Sequence, residues 1–314
     1  QRAQRHDRRV DPHGQRGGQP ERRHATDGHA GHLRRLLGRR ERRLAAPEFR
    51  AHGPVDVEAV RVVHHARGEL PRLVELADIR GDLHLHTTSS DGVDTIEAMA
   101  DAAAERGYEY LGITDHSQSL KIARGVSVAH LWTQIRRIDR LNERRRGLRV
   151  LKSAEVDILA DGSLDYVDDL LAELDYTICS IHSRFRLGKR EQTERVLRAM
   201  DHPAFTILGH ATGRLLLKRT GYELDLPRLV AHARARRCHF EINADPDRLD
   251  LAADNVRVVA SAGVKVAIGT DAHRVAGLDY MHCGLDVARR AGLEKSAVLN
   301  TLPLAQLLRV LRKK

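Results

Sequence analysis

Nine side chains that are suited to binding metal ions recur at equivalent places in this sequence, each close behind an apolar run. The candidate ligands are His84, His86, Asp91, His116, Glu155, His182, His210, Asp271 and His273. Imidazole and carboxylate groups without thiolates suit Zn, Mn or Fe. Nine ligands are too many for one tetrahedral ion, and they suffice for two or three ions if one carboxylate bridges. Ions at such spacing are typical of phosphate-ester hydrolysis.

The His84–His86 pair is weak evidence by itself, because a chain with 19 histidines in 314 residues contains an HxH by chance about once. A single histidine at a strand end is also more often a structural residue. The set is more informative than its members, since six of the eleven histidines beyond residue 78 follow strand-like runs, with Asp or Glu beside them. We interpret the other five as surface or core residues: His130, His202, His232, His239 and His282.

From residue 79 onward, short apolar runs alternate with longer helical patterns, which is the signature of β/α units. The predicted strands are Asp82–His86, Tyr110–Thr114, Arg149–Ala154, Tyr176–Ile181, Phe205–Leu208, His239–Ile242 and Lys265–Gly269. Amphipathic helices are predicted over Asp94–Glu105, with a capping box of Asp94 and Glu97, and over Asp225–Arg237.

Seven such units with short connections favour a parallel barrel, in which functional side chains gather where strands end. A doubly wound open sheet is the alternative, although no GxGxxG or GxxxxGK[ST] loop indicates nucleotide binding, and we expect no nucleotide cofactor.

Basic residues follow several of the ligands. We expect Arg184, Arg214 and Arg248 to bind substrate phosphate, because arginine holds phosphate oxygens in bidentate fashion.

The formal charge of +10 is unevenly distributed. Residues 1–50 hold 14 Lys+Arg and 6 Asp+Glu, which leaves 39 and 37 for residues 51–314. Residues 1–46 are predicted to be a basic, low-complexity arm that is mostly disordered; a nucleic-acid-binding arm and a segment not faithfully translated are alternatives. Residues 47–78 are predicted to be a linker, and residues 79–314 the barrel.

Cellular location is predicted from two features of composition. No apolar run approaches the roughly 18 residues that a membrane helix needs, so we expect no membrane partner. The three cysteines, Cys179, Cys238 and Cys283, form no CxxC pair and no even-numbered framework. Both features fit a reducing cytoplasm.

The chain resembles the PHP (polymerase and histidinol phosphatase) superfamily, and within it the C-terminal domain of bacterial family X DNA polymerases. The resemblance covers about residues 70–314 and rests on the motifs HLHTTSSDG, ITDHS, EVDILADG, SIHS, GHATGRLL, EINADPDRLDL, GTDAH and NTLP. It implies a distorted (βα)7 TIM-like barrel with two to three divalent ions, Mn or Zn, with Fe possible. It also implies hydrolysis at DNA partners with 3′ ends, abasic sites or gaps, in the manner of a 3′–5′ exonuclease, 3′-phosphatase or abasic-site endonuclease.

The resemblance also implies how the ligands divide. One ion would take His84, His86, Glu155 and Asp271, a second Glu155, His182 and His210, and a third Asp91, His116 and His273. On this basis Glu155, Asp271 and His182 are the expected catalytic residues. The residues before 79 leave no room for a polymerase palm, so we expect no polymerase activity from this chain. A small-molecule phosphatase like histidinol phosphatase and a non-catalytic, metal-stabilised DNA-docking module remain alternatives.

Overall fold

Eight short parallel strands carry the fold of residues 71–312, which are the residues that this computed structural model describes. The strands are β1 (Gly81–Asp82), β2 (Tyr110–Ile113), β3 (Arg149–Lys152), β4 (Glu155–Asp157), β5 (Ile178–Ser180), β6 (Ile207–Leu208), β7 (His239–Asn243) and β8 (Val266–Gly269). They form a sheet in the order β1-β2-β3 and another in the order β4-β5-β6-β7-β8. The predicted parallel β/α fold is confirmed, with β3 and β4 together taking the place of the third predicted strand.

The two sheets join into a barrel through contacts at both ends of the strands. His116 bridges to Glu155, which links the end of β2 to the start of β4. At the carboxyl end, Leu85 bridges to Ala272 beyond β8. At the amino end, the buried amide of Asn300 donates to the carbonyls of Gly81 in β1 and Ile268 in β8, and accepts from the Ile268 N–H. The side chain of Asn300 thereby ties the first strand to the last.

Eight helices alternate with or follow these strands in the described part of the chain. They are α1 (Ile96–Glu105), α2 (Val128–Arg144), α3 (Asp168–Ala172), α4 (Lys189–Met200), α5 (Leu226–Arg236), α6 (Ala253–Ser261), α7 (Met281–Arg290) and α8 (Leu304–Leu311). Short 3-10 helices lie at Leu76–Asp78, Lys121–Ala123, Val275–Tyr280, Lys295–Ala297 and Leu299–Thr301.

The N-terminus of α1 differs from the predicted capping box. Thr95 is the N-cap and its side chain accepts from the Ala98 N–H. The carboxylate of Asp94 instead accepts from the backbone N–H of Val275 at 2.7 Å, and Glu97 binds Arg137 on α2. The prediction was wrong because both acidic side chains find partners distant in sequence.

Side chains alternate between two cores, as expected for parallel strands covered by helices. Inside the barrel, Tyr110, Ile178 and Ile207 pack with Leu307 and Leu311 of α8, which closes the amino end. The side chains that alternate outward pack against the surrounding helices. The interior therefore has an apolar floor, and the polar residues of the strands lie above it.

The described end of the predicted linker, residues 71–78, packs on the barrel. Val74 is fully buried and its N–H donates to the Leu293 carbonyl at 2.9 Å. The predictions for residues 1–46 and for the rest of the linker lie outside the described residues. Cys179 and Cys238 are buried. Within residues 71–312 no helix combines the length and apolar character that a membrane crossing requires.

Candidate metal centre

Glu155 lies at the centre of the candidate ligands, fully buried at the start of β4. Five histidines have ring nitrogens near its carboxylate: His84, His86, His116, His182 and His210. Its Oε1 lies 2.7 Å from Nε2 of His210 and 3.3 Å from Nε2 of His182. Its Oε2 lies 2.9 Å from Nδ1 of His116. One carboxylate thus contacts five side chains from four βα loops or strand ends, as a bridging ligand would.

Asp271 and the HxH pair form a second part of the cluster. The Nε2 atoms of His84 and His86 are 3.3 Å apart. The Oδ1 of Asp271 lies 3.0 Å from Nε2 of His86 and 3.7 Å from Nε2 of His84. These three side chains, buried at the junction of the first and last strands, could hold one ion between them.

Asp91 is the centre of the third part, nearer the solvent. Its Oδ2 lies 3.5 Å from Nε2 of His116 and 3.4 Å from Nε2 of His273, and its Oδ1 lies 3.8 Å from Nδ1 of His86. All nine predicted ligands therefore belong to one continuous cluster at the carboxyl ends of the strands.

The clustering of ligand atoms differs in detail from the division that the resemblance implies. Groups whose ligand atoms lie within 4.8 Å of one another are His86, Asp91, His116 and His273; His84, His86 and Asp271; and His116, Glu155 and His182. His86 and His116 each belong to two groups, because each presents two ring nitrogens to different neighbours. The assignment of ligands to individual ions stays a prediction.

The hydrogen bonds around the cluster leave lone pairs aimed at its centre. Nδ1 of His84 donates to Glu241 at 2.6 Å, Nδ1 of His182 to Asp157 at 2.6 Å, and Nδ1 of His273 to the Asp271 carbonyl at 2.7 Å. A neutral imidazole bonded in this way keeps an unprotonated Nε2, which is the arrangement that metal-binding histidines show.

Several buried atoms of the same cluster lack hydrogen-bond partners among the described residues. They are Nδ1 of His86, His116 and His210, Nε2 of His182 and Oε2 of Glu155, because the short contacts among them lack hydrogen-bond geometry. Buried polar atoms without partners are costly in a folded protein. Because imidazole nitrogens and carboxylate oxygens face one another here, the residues fit divalent cations of the Zn, Mn or Fe type.

The charges of the cluster depend strongly on one another. Burial would raise the pKa of Glu155, but the neighbouring histidines, His116 first, hold that pKa well below its ordinary value. Burial would lower the pKa of His116, but the charge of Glu155 raises it to about 10. Burial lowers the pKa of His86 to about 4, and the charge of His116 adds to the effect. Without metal, the cluster is thus a network of carboxylates and partly protonated histidines.

The three predicted phosphate-binding arginines have different surroundings. Arg248 reaches the cluster, with its Nε 3.3 Å from Oδ2 of Asp271 and its side chain 19% exposed. Arg214 donates Nε to the Arg248 carbonyl at 2.8 Å and Nη2 to the Leu249 carbonyl. Arg184 is exposed in the loop after β5. The structure therefore places only Arg248 against a ligand, and it gives Arg214 the role of bracing the Arg248 loop.

Two buried carboxylates that orient histidines were missed by sequence reasoning. Glu241 on β7 binds His84 and also accepts the His210 backbone N–H at 2.6 Å. Asp157 on β4 binds His182 and accepts from the Ser119 hydroxyl at 2.6 Å. A signal was present, since an acidic residue within a short apolar strand requires a buried partner.

The lack of a side chain at Gly269 makes room for the contact between Glu241 and His84. A Cβ at Gly269 on β8 would overlap both Oε1 of Glu241 and the Cβ of His84. Only glycine at this position lets the two side chains meet between β7 and β1.

Comparison with known proteins agrees with this geometry. The PHP domain model matches residues 82–244. The DNA polymerase/3'-5' exonuclease PolX of Bacillus subtilis (strain 168) is 44% identical over 228 residues, which cover 73% of this chain and 40% of that protein. This chain therefore spans less than half the length of that relative. A probable phosphatase of Thermoanaerobacter sp. (strain X514) is 29% identical over 231 residues, or 70% of this chain and 89% of the relative.

Two solved structures share the fold at 14% sequence identity. One is a putative histidinol phosphatase from Listeria monocytogenes, with a TM-score of 0.52 over 63% of this chain and 97% of that one. The other is a histidinol phosphate phosphatase from Lactococcus lactis subsp. lactis in complex with zinc, L-histidinol and phosphate, with a TM-score of 0.50 over 68% and 94%. The family match covers more than half of the residues, and it agrees with the parallel barrel and with the His/carboxylate cluster at its carboxyl rim. The chain belongs to the PHP domain family.

Proposed function

We propose that this chain is a metal-dependent phosphoesterase that hydrolyses phosphate esters at DNA 3′ ends. Support comes first from the convergence of six histidines and three carboxylates, with Glu155 at their centre, on one end of the barrel. The 44% identity to a bacterial polymerase/3'-5' exonuclease supports DNA as the substrate. When bound, divalent ions would supply Lewis-acid charge for the phosphoryl oxygens and activate a water molecule.

The protein side chains prepare the site for this chemistry. Glu155 stays ionised because the surrounding histidines lower its pKa, so it offers two carboxylate oxygens to neighbouring ligand groups. Glu241 and Asp157 fix the ring orientation of His84 and His182. A preorganised set of ligands avoids the free-energy cost of rearranging during the reaction.

Arg248 is the protein cation best placed for the substrate phosphate. Its guanidinium pairs with Asp271 and is largely buried, so its charge is weakly screened by solvent. The carbonyls of Arg248 and Leu249 are held by Arg214, which limits movement of this loop. We expect Arg248 to hold a phosphoryl oxygen in the ground state and in the transition state.

A nuclease assay on chelated protein tests the proposal. Protein treated with EDTA is offered a 3′-recessed duplex and a duplex with a 3′-phosphate, and Mn or Zn is then added back. We expect shortening or dephosphorylation only after metal addition. Glu155→Gln should lose this activity, whereas the matched change Glu191→Gln, at an exposed position on α4, should retain it.

A small phosphomonoester is a second candidate substrate. The probable phosphatase at 29% identity favours it, because this chain covers 89% of that relative. Hydrolysis of histidinol phosphate without hydrolysis of either DNA substrate would replace the first proposal with this one. Full metal occupancy without hydrolysis of any phosphoester would contradict both and would favour a non-catalytic docking module.

A further inference from the structure

A groove with only basic charges lies at the end of the barrel opposite to the metal centre. It has a volume of about 320 Å³ and lies between α5, α8 and the segment that precedes β8. Its cationic side chains, which we call the basic groove, are Arg234, Arg237, Lys265, Arg309 and Arg312. The residues that line it include no Asp or Glu.

The charges of this groove are not neutralised by the described part of the protein. None of its five cations forms an ion pair with a carboxylate of residues 71–312. Other arginines of α5 behave differently: Arg228 lies 2.6 Å from Glu194, and Arg236 lies 2.7 Å from Asp201. Because residues 51–314 hold 39 basic and 37 acidic residues, unpaired positive charge in one groove is a local feature.

Arginines in such a groove fit a ligand with repeated phosphates. A guanidinium binds phosphate oxygens through two parallel hydrogen bonds, and it is weakly hydrated compared with an ammonium group. One phosphomonoester would occupy only one or two of the five cations. We propose that the basic groove binds the phosphodiester backbone of a nucleic-acid strand. The choice of nucleic acid rests on the proposed function.

The groove is separate from the metal centre along the strand direction. Arg237 precedes β7 and Lys265 precedes β8, whereas Asp271 and His273 follow β8. Lys265 and Asp271 are six residues apart, and a rise of about 3.3 Å per residue places the two ends roughly 20 Å apart. At about 3.4 Å per nucleotide, a strand of about two nucleotides spans roughly 7 Å and is too short to reach both sites.

Charge reversal in the groove tests the proposal by binding. The variant combines Arg234→Glu, Arg237→Glu, Arg309→Glu and Arg312→Glu, and it is measured in EDTA by fluorescence anisotropy with a labelled single strand of about 40 nucleotides. We expect the slope of log K against log salt to become shallower by about 2 to 3, since each lost phosphate contact removes about 0.7. An unchanged slope would overturn the proposal.

A control variant outside the groove and a smaller groove variant make this test specific. Arg140→Glu with Arg144→Glu changes two exposed residues of α2, and it should leave the slope unchanged. Arg309→Glu with Arg312→Glu lies within the groove and makes the same net change of charge as this control. It replaces the fourfold variant if that variant unfolds. If polyglutamate displaced the labelled strand as well as unlabelled DNA of the same charge did, the groove would be a site for an acidic protein instead. That result would also overturn the proposal.

Substrate length separates this proposal from the proposed function. Groove variants should slow hydrolysis of a strand of about 40 nucleotides and leave that of a strand of about two nucleotides unchanged. Equal loss on both lengths would show that the groove is not a distant site. Wild-type chain that binds DNA through the groove but hydrolyses none would contradict the proposed function alone.

Discussion

The Oε1 atom of Glu241 lies 2.6 Å from Nδ1 of His84, and both side chains are fully buried. An ionised carboxylate only accepts hydrogen bonds, so the proton of this imidazole is on Nδ1. Nε2 of His84 faces Glu155 and Asp271, at 3.4 Å and 3.7 Å, and offers its lone pair when the ring is neutral. A residue outside the ligand set thus determines which nitrogen of the first ligand is available.

Glu241→Gln should weaken metal binding. The amide accepts less strongly and can also donate, which favours the wrong tautomer of His84. We expect metal affinity to fall about 10- to 100-fold, as measured by titration of the chelated protein, with activity recovering at higher metal concentration. Glu223→Gln, at an exposed position, should have no effect. Wild-type affinity in a folded Glu241→Gln protein would contradict the orienting role.

Asp157→Asn should reduce activity through His182. Asp157 lies 2.6 Å from Nδ1 of this histidine, whose Nε2 is 3.3 Å from Oε1 of Glu155. Loss of the carboxylate leaves the ring free to rotate, and we expect kcat/KM or metal affinity to fall about 10- to 100-fold. Asp169→Asn, on an exposed turn of α3, is the matched control. Equal activity of both variants would refute this prediction.

Metal binding should release protons at neutral pH. In the metal-free protein, burial lowers the pKa of His116 but the charge of Glu155 raises it to about 10, so this ring is protonated at pH 7. A ligand histidine must be neutral. Affinity should therefore increase as the pH rises from 7 towards 10. Calorimetric titration in two buffers of different ionisation enthalpy measures the released protons, and equal heats in both buffers would exclude the linkage.

The three candidate arginines should differ in their effects on activity. Arg248→Ala should lower kcat/KM most, by about 10- to 100-fold, because a hydrogen bond to a charged group is worth about 1.5 to 3 kcal/mol. Arg214→Ala should have a smaller effect, through displacement of the Arg248 loop. Arg184→Ala should change the rate little, since this side chain is exposed. Steady-state kinetics of the three variants test this order. The prediction would be wrong if Arg184→Ala caused the largest loss of kcat/KM.

Asn300→Ala should destabilise the barrel without touching the metal centre. The buried amide makes three hydrogen bonds that join β1 to β8, and alanine would leave their backbone partners unsatisfied. We expect the free energy of unfolding to fall by about 2 to 4 kcal/mol, as each unsatisfied buried group costs about 1 to 3 kcal/mol. Urea denaturation measures the change, with Gln306→Ala on the exposed side of α8 as the control.

The sequence by itself determined the barrel and which side chains gather at its carboxyl rim. Short apolar runs alternating with amphipathic helices are a local pattern, and they specify parallel β/α units. In such a fold the carboxyl ends of all strands meet at one rim. Side chains as far apart as His84 and His273 were therefore expected at one place, and the structure brings all nine together.

Only the tertiary structure decided how these side chains are paired. Glu241 and His84 are separated by 157 residues, and no spacing rule links them. Three further features likewise depend on which strands become neighbours. They are the dual contacts of His86, the separate roles of Arg214 and Arg248, and the closure of the barrel by Asn300. The physical reason is that hydrogen-bond partners are selected by distances of about 3 Å in the folded chain, whereas sequence patterns report only which face of an element is buried.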